Sequence, residues 1–277
     1  MITRFLKLSF SIFFWTIEYI GNFFLHMLGK QAPPTCVILY YHIVTQEQRI
    51  IFARQLDDIL RWSNLISLNN NHTFSNDRNY VAVTFDDGFQ SIIENALPEL
   101  KKRHIPVTIF IPSGNLGKRP HWIDENDLEH RNEIVMTPEQ IKNLDTNLVT
   151  IGSHCVSHSN ILFLNEKDAE NEIVTSKNTL ENILKTEVDL ISFPHGAFSE
   201  SHEQMARKAG YKQVLSILPT LAYPRKNKFV MGRIRVDPSD LPLEFRLKML
   251  GAYRWLPSVY KLKQNINYRL SQIKKYI

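Results

Sequence analysis

Residues 81–88 have the sequence VAVTFDDG, an apolar run that ends in two aspartates and a glycine. Short runs rich in valine are typical of strands that are buried on both faces of a parallel sheet. Asp86 and Asp87 at the carboxyl end of such a strand point in different directions, so one can bind a metal while the other handles a proton. Asp-Asp-Gly is also a common turn sequence, and taken alone the stretch is compatible with either interpretation.

Similar apolar runs alternate with helical segments along about two hundred residues. The other strand candidates are residues 37–41, 107–111, 148–152, 190–193 and 214–218, with 233–236 as a weaker seventh. Helical segments are expected at residues 52–62, 91–103, 137–144, 166–184 and 200–210. This alternation predicts parallel βα units, and six or seven of them favour a barrel-like closure. A flat doubly wound sheet is the alternative, although no glycine-rich phosphate loop follows the first strand.

Two further strand ends carry polar residues. Residues 151–158 have the sequence IGSHCVSH, in which His154 and His158 are four apart and can share a metal from one face of a helical turn. A chain with ten histidines also produces this spacing by chance. Residues 192–196, with the sequence SFPHG, predict either a turn whose backbone approaches a ligand or a plain strand-to-helix connection.

The three motifs gain weight from their shared position. Each lies at the carboxyl end of a predicted parallel strand, and in a barrel those ends all face one mouth, where active sites lie. The set therefore predicts one site that combines two carboxylates with two imidazoles.

The same motifs, in this order, resemble those of the polysaccharide deacetylases, the fourth carbohydrate esterase family. The resemblance covers about residues 36–236 and includes the opening strand with His42, the run 106–110 and the helix end at 209–211. It implies an α/β fold, a distorted (β/α)7 barrel that is similar to a TIM barrel, here with amphipathic helical extensions at both termini.

The resemblance also implies roles for individual residues. Asp87, His154 and His158 would hold a divalent metal, most often zinc, with cobalt or manganese as alternatives, and Asp86 would be the base that deprotonates a metal-bound water. Three protein ligands leave positions open for water and for the acetyl oxygen. Substrate contacts are expected at the acyl-binding turn, at the barrel mouth, in the long loop and on the last strand: Pro194, His195, Gly196, His42, Trp122 and Arg233. For His42 and Trp122 a structural packing role is the alternative.

Three departures from the family pattern concern the catalytic machinery. Ser192 stands where many members have the arginine that orients the base, and Arg233 or Arg235 is expected to replace it. His195 stands where an aromatic residue is usual. The late Leu-x-His that supplies the general acid has no clear equivalent, so the acid is unassigned, with His195 and His202 as the two hypotheses.

The resulting functional prediction is a metal-dependent hydrolase that removes N-acetyl groups from amino sugars in a polysaccharide or a lipid-linked glycan. This is a carbohydrate N-deacetylase, which acts on carbon–nitrogen bonds other than peptide bonds. The missing acid motivates an alternative, a catalytically impaired carbohydrate-binding or scaffold protein on the same fold. A deformylase or acyl esterase that uses the same metal site is the third hypothesis.

Charge is distributed unevenly along the 277 residues. The net charge of +5 divides into +2 for residues 1–30, −4 for residues 31–241 and +7 for residues 242–277. A groove for nucleic acid would need its positive charge on the folded body, so we expect no nucleic-acid partner. We divide the chain into a membrane-associating segment (1–34), a deacetylase-like barrel (35–240) and a basic helical tail (241–277).

The N-terminal segment contains one formal charge between residues 8 and 29, Glu18. A narrow polar stripe runs along the predicted helix opposite a wide aromatic face, at Arg4, Lys7, Ser11, Glu18, Asn22 and His26. This pattern favours a helix that lies on a membrane surface, while a spanning helix and a helix packed on the protein's own body are the alternatives. A cleaved signal peptide is less well supported, because no small-x-small cleavage site follows.

The C-terminal tail has apolar residues at helical spacing among lysines and arginines, from Ile266 to Ile277. Basic amphipathic helices favour anionic lipid surfaces, and a solvated helix packed on the barrel is the alternative. Both ends of the chain therefore predict a membrane-associated protein, through a monotopic or a single N-terminal helix. The side of the membrane is left open by the charge pattern.

Overall fold

A computed structural model describes residues 2–69, 73–124, 126–127, 130–222 and 229–259, in which parallel strands form a nearly closed barrel surrounded by helices. The strands are β1 Thr35–Tyr41, β2 Asn64–Leu65, β3 Asn79–Phe85, β4 Val107–Ile111, β5 Val149–Ser153, β6 Leu190–Ser192, β7 Gln213–Ser216, β8 Val230–Gly232 and β9 Ile234–Arg235. The α-helices are α1 Ile2–Met27, α2 Arg49–Trp62, α3 Leu97–Lys102, α4 Pro138–Lys142, α5 Glu166–Leu184, α6 Glu200–Lys208 and α7 Pro242–Met249.

The closure of the barrel depends on one short segment. The strand order is β8-β7-β6-β5-β4-β3-β1-β9, with β2 paired to β3 beside this path. Because β8 pairs with β7 and β9 pairs with β1, residues 230–235 reach both edges of the sheet. Arg233 alone separates the two strands, so it lies where the barrel closes. The prediction of a distorted (β/α)7 barrel is confirmed, and the alternative, a flat doubly wound sheet, is not observed.

Side chains alternate between the two faces of each strand, as a period of two requires. On β1, Val37 and Leu39 face the helices, whereas Ile38 belongs to a second apolar cluster inside the barrel. On β3, Val81 and Val83 likewise pack outward while Ala82 packs inward. Because this alternation continues past the ends of β1 and β3, the side chains at the even-numbered positions that follow these strands also point toward the barrel interior.

One interior position must be a glycine. A Cβ on Gly152 of β5 would overlap the ring of Phe110, which is buried on β4 inside the barrel. The ring of Phe110 therefore occupies the space that a side chain at position 152 would need. This fit holds β4 against β5 directly below the point where the chain turns toward His154.

The predicted elements differ from the observed ones mainly at short strands and helix ends. Two strands, β2 and β8, were not expected, because runs of two or three residues carry too little periodicity to be recognised. The predicted helix at residues 91–103 is a π-helical turn, Ile92–Ala96, followed by α3. The predicted tail beyond residue 259 lies outside the described residues.

Helix α1 packs on the body through its polar stripe. Nη2 of Arg4 lies 2.6 Å from Oε2 of Glu244, and the indole nitrogen of Trp255 donates to Ser11 Oγ at 2.9 Å. Further along the helix, Glu18 pairs with Arg254 and His26 lies 3.4 Å from Asp77. The rest of the helix circumference presents large side chains that are exposed, although Phe10 among them also contacts Trp255: Phe5, Leu6, Phe10, Ile12, Phe13, Ile17, Tyr19, Ile20, Phe23, Phe24 and Met27.

Candidate active site

The carboxyl ends of β3 and β5 bring four sequence-predicted residues together. Asp86 and Asp87 follow β3 directly, and His154 and His158 lie in the turn that follows β5. Asp87 has a φ of 69°, and Gly88 behind it has a φ of 59°, so the chain turns sharply here. All four side chains are buried, although each is polar.

Three of these residues converge on one point. Oδ1 of Asp87 lies 3.0 Å from Nε2 of His158 and 3.5 Å from Nε2 of His154. One potential ligand atom from each residue lies within 4.8 Å of the others. A carboxylate oxygen and two imidazole nitrogens form a donor set that suits zinc and similar divalent cations.

The imidazole of His154 has the orientation and charge state that a metal ligand needs. Its Nδ1 donates to the carbonyl oxygen of Ser192 at 2.6 Å, which leaves the lone pair of Nε2 directed at Asp87. Burial lowers the pKa of His154 to about 4, although Asp86 acts in the opposite direction. The ring is therefore neutral at neutral pH and able to donate its lone pair.

Unsatisfied polar atoms support the fit of a cation at this point. Among the residues that the structure describes, the buried Oδ1 of Asp87 has no donor at a good hydrogen-bond angle, although Nε2 of His158 lies 3.0 Å away. Burial disfavours the charged carboxylate, but the imidazoles of His158 and His154 outweigh this effect and lower the pKa of Asp87. A buried anionic oxygen without a hydrogen-bond donor is the state that a bound cation would relieve.

Asp86 is held by a different partner. Nη1 and Nη2 of Arg233 donate to its two carboxylate oxygens at 2.6 and 2.8 Å, a bidentate arrangement. Arg233 also donates to Ser192 Oγ at 2.7 Å and to Thr84 Oγ1 at 3.2 Å. Burial raises the pKa of Asp86, but the charge and the hydrogen bonds of Arg233 outweigh it, so the net pKa is lowered. Asp86 is therefore a carboxylate that can accept a proton.

The position of Arg233 corrects one assignment made from the sequence. Its side chain is 0% exposed inside the barrel, so it contacts Asp86 from below and is not available to substrate. Arg233 therefore contacts the candidate base in the way expected of the motif arginine that Ser192 replaces in this sequence, and it bonds to Ser192 as well. Arg235 is exposed and lines the pocket instead, so of the two arginines it is the one on the substrate side.

A pocket of about 320 Å³ opens above the four residues. His42, Trp122, His195 and Gly196 line it, as the sequence predicts for substrate contacts, whereas Pro194 is buried behind the turn and is not part of its wall. His195 has a φ of 59° and Gly196 a φ of 62°, so the turn presents its backbone toward the pocket. These residues stay predicted substrate contacts, except for Pro194, which shapes the turn.

Trp122 has a second contact that its sequence position does not reveal. Its ring stacks on the imidazole of His158, with centroids 4.1 Å apart and an angle of 15° between the planes. The indole face toward His158 is thus unavailable to a sugar. Trp122 fixes the plane of a candidate metal ligand and also forms part of the pocket wall.

His202 does not lie at the site. Its Nδ1 accepts a hydrogen bond from the backbone N–H of Ser199 at 3.1 Å, as part of the cap of α6. The hypothesis that His202 is the general acid is therefore wrong. Thr84 and Ser192, which support Arg233, were not identified from the sequence; the alternation along β3 places Thr84 inside the barrel, but nothing local indicates its partner.

Comparisons with known proteins agree with this geometry. The family model for polysaccharide deacetylases matches residues 74–214. The chain is 28% identical to the Bacillus subtilis protein YxkH over 158 residues, which are 57% of this chain and 52% of that protein. It is 29% identical to the poly-beta-1,6-N-acetyl-D-glucosamine N-deacetylase of Staphylococcus aureus over 176 residues, 61% of this chain and 57% of that enzyme. The chain thus matches little more than half the length of these curated relatives.

Solved structures show the same fold. The structure of IcaB from Ammonifex degensii aligns with a TM-score of 0.66 at 22% identity, over 80% of this chain and 98% of that one. The Streptococcus pyogenes deacetylase PplD aligns with a TM-score of 0.61 at 20% identity, over 79% and 98% of the two chains. Because the family model spans half of the sequence and includes the three motifs, the chain belongs to the polysaccharide deacetylase family.

Proposed function

We propose that this protein is a metal-dependent N-deacetylase that hydrolyses the acetamido groups of amino sugars in a polysaccharide or lipid-linked glycan. The observation that carries the proposal is the convergence of Asp87, His154 and His158 beside a second carboxylate, Asp86. The Staphylococcus aureus relative, which is named for poly-N-acetylglucosamine, supports an N-acetylglucosamine polymer as the first substrate to test. We place the catalytic body at residues 35–240, between the segments 1–34 and 241–277, and helix α7 of the second segment contributes Phe245, Leu247 and Met249 to the core of this body.

Asp87, His154 and His158 would hold a divalent cation, for which zinc is our first choice and cobalt or manganese are alternatives. Bound there, such a cation would supply Lewis acidity, which lowers the pKa of a water and polarises the acetyl carbonyl. The turn at His195 and Gly196 lies across the pocket. The N–H of Gly196 donates to the carbonyl oxygen of Phe193 at 3.0 Å, so the N–H of His195 is the one that would support the negative charge that develops on the acetyl oxygen.

Asp86 would act as the general base. Its carboxylate lies in the pocket wall one residue from Asp87, and Arg233 holds both of its oxygens in place from below. Since Arg233 lowers the pKa of Asp86, the carboxylate is charged and ready to take the proton of the attacking water. Arg233 thereby orients the base and would not contact the sugar.

Proton donation to the leaving amine would come from His42. Two imidazoles other than those of His154 and His158 line the pocket, His42 and His195. Burial and the neighbouring His158 lower the pKa of His195, which disfavours the protonated form that a general acid needs. His42 follows β1 and lies within electrostatic reach of both Asp86 and Asp87. An imidazole beside the base can donate its proton to the leaving amine after the base has taken a proton from the attacking water.

Helix α1 would hold the enzyme against a lipid surface. It is the one helix among the described residues that is long and apolar enough to cross a membrane, with a mean hydropathy of 1.3 over its most apolar window. Its polar stripe pairs with the body at Arg4, Ser11, Glu18 and His26, and a spanning orientation would take these charged partners into hydrocarbon. We therefore propose that α1 lies in the membrane plane, with its aromatic face in the lipid.

Acetate release should depend on Asp86 while metal binding should not. We expect purified Asp86→Asn to retain the metal and to release acetate from N-acetylglucosamine oligomers at least a hundredfold more slowly than the unaltered protein, because the base is lost. Asp87→Asn is the matched control and should lose both metal and activity. Full turnover by Asp86→Asn would remove Asp86 as base. Metal binding with no turnover by the unaltered protein would favour a carbohydrate-binding role, and release of formate or of O-linked acetate alone would indicate a different acyl hydrolase.

Replacement of Arg233 should shift the pH dependence of the reaction. Because Arg233 lowers the pKa of Asp86, Arg233→Gln should raise that pKa, so the acidic limb of the kcat/KM profile moves to higher pH and activity at low pH falls. The matched variant Arg235→Gln changes an exposed side chain with no hydrogen bond to Asp86 and should leave the acidic limb in place. Equal profiles for the two variants would show that Arg233 does not hold the base.

Paired variants can distinguish the roles of the two remaining pocket imidazoles, His42 and His195. We expect His42→Ala to lower kcat about a hundredfold or more, the usual range for loss of a general acid, and to remove the basic limb of the pH profile. His195→Ala keeps the backbone of the turn and should lower kcat less than about tenfold. The reverse order of effects would assign the proton to His195.

Membrane association should depend on the outward face of α1. We expect Phe13→Glu, at a side chain that is 60% exposed, to weaken binding to phosphatidylcholine–phosphatidylglycerol vesicles about tenfold or more, because a phenylalanine leaves the lipid and a charge enters it. Phe163→Glu makes the same change at an 86% exposed phenylalanine outside α1 and is the control. Vesicle flotation measures both. Unchanged binding by Phe13→Glu would contradict the in-plane orientation.

A further inference from the structure

The turn that carries both histidine ligands has an unfavourable backbone. Cys155 has a φ of 60° and His158 a φ of 61°, although neither is a glycine. L-residues other than glycine rarely adopt this left-handed region, and such residues persist only where the surroundings hold them. The distance between His154 and His158 therefore depends on what fixes residues 155–158 from outside.

A carboxylate on the neighbouring helix supplies one side of this support. Oε2 of Glu172, on α5, accepts from the backbone N–H groups of Val156 at 2.8 Å and of Ser157 at 2.9 Å. Its Oε1 accepts from Ser157 Oγ at 2.7 Å. Two successive N–H groups that follow a left-handed residue form a concave site for an anion, so the conformation of Cys155 turns both groups toward Glu172.

The turn after β4 supplies the other side. The N–H of Ser113 donates to the carbonyl oxygen of Cys155 at 3.0 Å, and that of Gly114 donates to the carbonyl oxygen of Val156 at 2.8 Å. The N–H groups of Val156 and Ser157 thus bond to a charged acceptor on α5, while the carbonyl groups of Cys155 and Val156 accept from the backbone after β4. Of these partners, Glu172 is the one that a single side-chain substitution removes.

We propose that Glu172 is a positioning residue for the metal site, which holds residues 155–158 so that both imidazoles face Asp87 before a cation binds. Glu172 contacts neither the pocket nor the donor atoms of the three ligands and acts through the turn. Its effect on catalysis rests on the proposed deacetylase function, whereas its effect on metal affinity does not.

The test compares Glu172→Ala and Glu172→Gln with Glu170→Ala, which removes an exposed carboxylate from the same helix. Competition with a chromophoric chelator measures the Kd for Zn²⁺, and the visible absorption of the Co²⁺ form reports ligand geometry. We expect Glu172→Ala to raise the Kd about tenfold or more, as other supporting partners of metal ligands do, and to change the Co²⁺ spectrum. Glu172→Gln, which keeps an acceptor oxygen, should recover part of the affinity. Glu170→Ala should match the unaltered protein.

Catalytic measurements separate positioning from general stability. In Glu172→Ala saturated with metal, we expect kcat to fall with KM nearly unchanged, because the altered turn affects the ligands more than the sugar contacts. Unaltered Kd and Co²⁺ spectrum in both Glu172 variants would overturn the proposal. An equal loss of metal affinity in Glu170→Ala would also overturn it. So would a loss of metal affinity in Glu172→Ala that is no larger than its fall in Tm explains and that Glu172→Gln does not share. If no variant releases acetate but the pattern of affinities holds, the deacetylase function fails and the positioning role stands.

Discussion

The buried contact between Arg233 and Asp86 links the closure of the barrel to its chemistry. Arg233 separates β8 from β9, the two short strands that pair with opposite edges of the sheet, and its guanidinium reaches across the barrel to the end of β3. Burial of a charged pair is costly unless the geometry satisfies both partners, and here the bidentate bond with the Ser192 and Thr84 hydroxyls does so. A change that opens the barrel would therefore also release the candidate base.

Helix α1 has the reverse of the usual amphipathic arrangement, in which the apolar face packs on the protein. Polar residues of its stripe pair with the body, and most of its phenylalanines face outward, although Phe14 packs against Arg254 and Phe10 contacts Trp255. Hydrophobic packing alone would not select this arrangement in water, because it leaves a wide apolar face exposed. Lipid on the outer face, as we propose, would remove that cost. The polar stripe and the aromatic face are then each matched to their surroundings.

Local sequence patterns predicted the parts of the structure that local physics determines. The observed bounds of β4 and α5 coincide with the predicted ones, and the motifs at residues 86–87 and 154–158 do meet at one mouth. The pairing of Asp86 with Arg233 joins residues 147 positions apart, so it depends on how the barrel closes, which no local pattern contains. The contact of Glu172 with the ligand-bearing turn is of the same kind, because an acidic residue inside a helix has many alternative partners.

The two adjacent aspartates have different surroundings, and these suit them to the different tasks that we propose for them. Asp86 faces a permanent cation, Arg233, and so the charge of its carboxylate is balanced within the protein. Asp87 faces His154, whose pKa of about 4 leaves it uncharged at neutral pH. Asp87 thus has imidazoles beside it, those of His158 and His154, where Asp86 has a permanent cation, and a buried carboxylate in this setting suits a cation from solution. Exchange of the two neighbourhoods would exchange the two proposed roles, proton transfer for Asp86 and metal binding for Asp87.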